Sequence, residues 1–165
     1  MTNRAAQGLL ALLAFLLCAG PLSPLRAQGF QGPLLITSAG QSPDVQLAGV
    51  LARRAGVEHT LSPMATTAEL TNAKSLAVVV GASLKGLGAA GIDTNKEKER
   101  VAALLAEANG RGIPVLLLHL GGDQRRGDLT DELITAYLPS AQWALILKSG
   151  TVSYTHLTLP TKRIV

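Results

Sequence analysis

Between residues 28 and 151 the sequence has no cysteine, and its single Cys18 lies in the N-terminal apolar stretch. A disulfide framework and a thiol nucleophile are therefore both excluded from that segment. Aromatic residues are almost as scarce, with Phe30, Tyr137 and Trp143 the only ones between 28 and 151. That leaves no interleaving of aromatic and basic side chains for stacking nucleic-acid bases. An excess of one charge is also missing. The formal +4 of the whole chain comes from Arg4, Arg26, Lys162 and Arg163, and once these are set aside eleven basic residues face eleven acidic ones. The basic isoelectric point thus gives no support for a nucleic-acid, membrane or acidic partner.

The longest apolar segment runs from Gly8 to Gly20, after Arg4 and before Pro21, Pro24 and the "LRA" that ends at Ala27. It is shorter than the roughly 20 residues a membrane-spanning helix needs, and its flanks are those of a signal peptide. Residues 1–27 are expected to be removed near Ala27, releasing a secreted or periplasmic protein that no longer touches the membrane. Leu17 stands where lipoprotein processing wants a small residue, so Cys18 is not read as a lipid anchor. At the other end, "VSYTHLTLPTKRIV" (152–165) shows no helix or strand pattern that fits what precedes it. It resembles a translated sequencing-library adapter. On that reading 152–165 is non-native and the domain is truncated at its C-terminus. The remaining 28–151, about 125 residues, suffices for one hydrophobic core.

Short apolar runs alternate with helical patterns throughout this segment. "PLLITS" (33–38) reads as a buried strand, and 42–56 as a helix with Ser42 as cap, Pro43 and Asp44 in its first turn and Gly56 as its stop. Its apolar face is drawn from Val45, Leu47, Ala48, Val50, Leu51 and Ala52, with Arg53 and Arg54 near the negative end of the dipole. "VEHTL" (57–61) reads as a second strand and 66–73 as a short helix or turn. "SLAVVVGAS" (75–83) is a strand buried on both faces, and a long turn follows it. Residues 94–112 form a helix capped by Thr94 or Asn95, with Val101, Leu104, Leu105 and Ala108 inward and its charge run "NKEKER" solvated. "IPVLLLHLGG" (113–122) is a strand, 129–139 a helix stopped by Pro139, and 141–150 a last strand. Tyr137 and Trp143 are read as packing residues. Such alternation implies an α/β three-layer sandwich around a mostly parallel, flavodoxin/Rossmann-like sheet.

In an open parallel sheet ligands bind beyond the carboxyl ends of the strands, where strand order reverses. With an order 2-1-3-4-5, the loops after the first and third strands face one another. Candidate ligand-binding residues are therefore Ser38, Gly40, Gln41 and Ser42 after the first strand, Ser83 and Lys85 after the third, and His119 and Arg125 after the fourth. The turn "SAGQS" sets the amides of a helix start beside two hydroxyls, which suits an anion. Lys85, Arg125 and Arg126 add positive charge, and Asp123 is placed to orient His119 or pair with an arginine.

Sharper motifs fail. "GLGAAG" (86–91) starts too far from its strand and helix for a dinucleotide site, and "GASLKG" lacks the closing Lys-Ser/Thr of a phosphate loop. Lys85 stands where a nucleophile elbow around Ser83 would need glycine. Asp93, His119 and Asp123 have no metal-ligand spacing. The best-supported expectation is an exported module binding a small carboxylate or phosphate, without a cofactor. A hydrolase using a serine with His119 in the same crevice is the first alternative, and a flavin-binding flavodoxin-like protein the second.

The phrases "PLLITSAGQSPDVQLAGVLARRAG", "VVVGASLKGLGAAGID" and "GIPVLLLHLGGDQRRG" resemble an exported bacterial family of unknown function, number 6305 among such domains. That resemblance spans nearly all of 33–150 and implies no activity. It also implies that related chains continue with a further helix and strand.

Overall fold

The computed structural model describes residues 30–147; the expected leader 1–27 and tail 152–165 lie outside them. Five strands, β1 (Leu34–Ala39), β2 (His59–Leu61), β3 (Ser75–Val80), β4 (Val115–His119) and β5 (Trp143–Ile146), form one sheet in the order β2-β1-β3-β4-β5. Every pairing is parallel. The α/β architecture and the strand order read from the sequence are both present. Neighbouring parallel strands need crossovers, and the order in which strands are added reverses between β1 and β3, the place where a parallel sheet opens a crevice.

Helix α1 (Asp44–Arg54) covers one face, where Val45, Ala48 and Ala52 meet Ile36, Ala77, Val79 and Leu120. The other face carries more of the core. There Val101, Leu104, Leu105 and Ala108 of α3 (Thr94–Gly110), with Leu133, Ile134 and Tyr137 of α4 (Asp128–Tyr137), cover Leu35, Leu76, Val78, Val80, Val115 and Leu117. β3 is buried at all its positions because both layers press on it.

Three local expectations are corrected. The apolar residues of α1 divide between two sides: Leu47, Val50 and Leu51 are exposed, opposite the buried Val45, Ala48 and Ala52. The inner face is made of small residues because the helix sits close, and a Cβ on Gly49 would come within 3.1 Å of the Leu61 side chain. The cap of α3 is Asp93, whose carboxylate accepts the Lys96 amide at 2.8 Å, one residue ahead of the expected Thr94 or Asn95. Residues expected as a long turn after β3 contain a short helix, α2 (Leu84–Ala89), capped by Ser83, whose Oγ accepts the Gly86 amide at 3.0 Å. Helix α1 does stop at the expected glycine. Gly56 has φ +68°, and the Val57 amide returns to the Ala52 carbonyl at 2.9 Å, closing the last turn.

Candidate functional site

The loops leaving β1 and β3 meet at the carboxyl edge of the sheet and zip together. The Ser42 amide donates to the Gly81 carbonyl at 3.1 Å, Gly81 to Ala39 at 2.9 Å, and Ser83 to Gly40 at 2.8 Å, while Gln41 forms an antiparallel bridge with Ala82. Close approach demands glycine here. Gly40 has φ +100°, and a Cβ on it would stand 2.6 Å from the Gly81 carbonyl oxygen. Gln41 adopts a left-handed conformation at φ 57°, uncommon for a residue with a side chain, and its amide group is tied down by bonds to Pro63 and Glu97.

Glu97 is the residue that sequence reasoning missed. It lies on α3, only 1% exposed, and its Oε1 accepts the Gly40 amide at 2.8 Å and the Gln41 side-chain amide at 3.0 Å. Arg100, one turn on, grips both carboxylate oxygens, Nε to Oε2 at 2.8 Å and Nη2 to Oε1 at 3.0 Å. The same guanidinium donates to the carbonyls of Ser38 at 2.6 Å and Ala65 at 2.7 Å, and to the Thr37 hydroxyl at 3.3 Å. The charge run expected to be solvated is therefore buried at Glu97 and partly buried at Arg100. A carboxylate of the chain itself occupies the position beside the Gly40 amide. The ionic pair keeps every strong donor and acceptor supplied, which is the condition for burying charge without a large penalty.

The other predicted residues divide into two groups. Ser38 is fully buried and its Oγ has no hydrogen-bond partner among the described residues. Ser42 is 1% exposed; its Oγ accepts the Asp44 amide at 3.2 Å and donates to the Asp44 carboxylate at 2.7 Å, and the residue at the cap position of α1 is Pro43, not the expected Ser42. His119 is fully buried, with Nδ1 2.9 Å from the Val80 carbonyl oxygen and Nε2 3.3 Å from that of Gly122. These three, and the Gly40 amide, are turned inward.

Gln41, Ser83, Lys85 and Arg125 instead line one open groove of about 420 Å³, with Pro43, Gly86 and Ala89 supplying apolar wall. Arg125 comes from a 3-10 turn after β4 (Gly122–Arg125), and it also borders an adjoining groove of about 240 Å³ under the start of α4, with Ala82 and Thr130 among its lining. The acid beside Arg125 is Asp44, its Oδ2 4.0 Å from the arginine Nε, not the expected Asp123. Arg126 is engaged elsewhere, its Nε bonded to Asp131 at 2.6 Å.

Chemically, the groove offers two cations, two neutral polar side chains and a small apolar surface. No group of three or more His, Cys, Asp or Glu able to hold a metal ion occurs among the described residues. A family model described as a domain of unknown function, DUF6305, matches residues 31–160, and so runs into the segment 152–165. No curated protein and no solved structure matches the chain.

Proposed function

The chain belongs to the DUF6305 family, and we propose that it is an exported binding module that holds a small anion, a carboxylate or phosphate carrying a short apolar body, in the groove between α1, α2 and the turn after β4. Lys85 and Arg125 hold the charge, the Ser83 hydroxyl donates to it, and Pro43 and Ala89 pack the body. The observation that carries this reading is that Lys85, from the short helix after β3, and Arg125, from the turn after β4, line one groove beside the point where the strand order reverses. The main-chain amides of Gly40 and Ser42 take no part, because Glu97 and the Gly81 carbonyl already use them.

A hydrolase built on Ser38 or Ser42 with His119 has less behind it. Its serines and histidine are buried and, apart from Ser38, bonded to neighbours, away from the groove. No aromatic side chain lines the groove to flank a flavin ring.

Calorimetric titration with inorganic phosphate and with butyrate tests the reading. Charge-assisted hydrogen bonds are worth about 1.5–3 kcal/mol, so Lys85→Ala or Arg125→Ala should weaken binding about tenfold or more. Binding that survives both substitutions unchanged contradicts it.

A further inference from the structure

Arg125 does not face the groove unopposed. Its Nε lies 4.0 Å from Asp44 Oδ2, and the two side chains are 39% and 16% exposed. Asp44 is the more firmly held partner: the same Oδ2 accepts the Ser42 hydroxyl at 2.7 Å, and the Asp44 amide donates back to Ser42 Oγ. The sheet edge is shaped to admit this acid. A Cβ on Gly121 would stand 2.6 Å from Asp44 Oδ2 and 2.1 Å from Arg125 Cγ, and one on Gly81 would stand 3.5 Å from the same oxygen. Two strand ends are thus bare of side chain at the place where the carboxylate and the arginine stem lie over them.

We infer that Asp44 is a built-in competitor for Arg125, a tethered carboxylate against which any anion entering the groove must bid for the guanidinium. This rests on the anion-binding reading above. Ser42 fixes Asp44, so Arg125 is the mobile member of the pair, and its place on the wall shared by two grooves gives it two directions in which to turn. The contact is long, single and partly solvated, a geometry in which ion pairs are weak and readily exchanged. Asp44 also lowers the positive field at the groove mouth, and because the interaction energy scales with the guest's charge this weakens binding of any anion. The groove is therefore tuned to release its anion as well as to bind it.

The test is titration of the whole chain with inorganic phosphate in parallel for wild type, Asp44→Asn, Asp44→Glu and Arg125→Ala. Asp44→Asn keeps an acceptor for Ser42 but removes the charge, and it should tighten phosphate binding about twofold to fivefold. Asp44→Glu retains the charge and should not tighten phosphate binding, so that tightening confined to Asp44→Asn marks the loss of charge and equal tightening in both overturns the competitor. If phosphate binding is lost in Arg125→Ala yet Asp44→Asn is unchanged or weaker, the competitor is overturned and the binding site stands. Phosphate binding that is absent from wild type and Asp44→Asn alike, or indifferent to Arg125→Ala, overturns both.

Discussion

The Glu97 carboxylate accepts the Gly40 amide at 2.8 Å, so a side chain from α3 lies against the turn that ends β1. With Arg100 closing on both of its oxygens, this contact ties the first strand, the α3 layer and the loop through Ala65 into one polar knot inside an apolar core. Its removal should be costly, because it would strand a mostly buried guanidinium and a buried amide together.

Glu97→Ala should lower the free energy of unfolding by about 3–5 kcal/mol, the range for breaking one side of a buried ion pair. Glu97→Gln, which keeps an acceptor for Gly40, should cost less. Urea denaturation midpoints measure both, and a loss below about 1 kcal/mol for Glu97→Ala would show the pair to be dispensable.

Gly86 bears on the turn from the other side. A Cβ there would sit 2.1 Å from the Gln41 carbonyl oxygen, a backbone atom that cannot swing away. Gly86→Ala should therefore destabilise the chain by about 1–3 kcal/mol despite alanine's better helix propensity, whereas Gly88→Ala, with open space around its Cβ, should be neutral or stabilising. Thermal melting of the two variants separates these outcomes; equal melting temperatures would contradict the close approach.

Burial, reinforced by the nearby Glu97 charge, pushes the Tyr137 phenol up to about 12 from its usual 10.0. The folded chain then holds that proton more tightly than the unfolded chain does. The resulting stabilisation is complete below the unfolded value and is lost as pH rises through the folded one. Stability should fall by about 2 kcal/mol between those values, and Tyr137→Phe should remove that part of the slope. Alkaline denaturation curves that are parallel for the two proteins would contradict it.

Glu69 shows the opposite sign. The Ser62 hydroxyl first, and then the Thr66 amide at 2.6 Å, hold its carboxyl below the ordinary value. Its contribution is present above the unfolded value and disappears as pH falls through the folded one. An NMR titration should find Glu69 depressed and Ser62→Ala should bring it back up; an unchanged titration in that variant would remove Ser62 as the cause.

The sheet is readable because residues 34–36, 76–80 and 115–118 are apolar runs, each with proline or glycine at one end, and the helices between them force parallel crossovers. Helix α2 was hidden, since "LKGLGA" carries two glycines in six residues and has no room for an apolar stripe to declare itself. The equal treatment of all six apolar positions in α1 failed because only a helix seated on a sheet selects between its two sides. Glu97 was misread because its neighbours are charged. A signal was nonetheless there: Glu97, Val101, Leu104 and Ala108 recur at one helical phase, so the acid stands on the buried stripe, and Arg100 at the next turn marks its partner. The side chains of Lys85 and Arg125 were assigned to one crevice from strand order alone, whereas the occupation of the Gly40 amide required knowing where α3 packs.

The most direct test of the groove is an amide NMR titration of the whole chain with inorganic phosphate. Saturable shifts should concentrate at Ser83, Lys85, Gly86 and Arg125, with Gly40 and Glu97 unmoved. Shifts centred on Gly40, or a spectrum indifferent to phosphate at every one of these residues, would contradict the account.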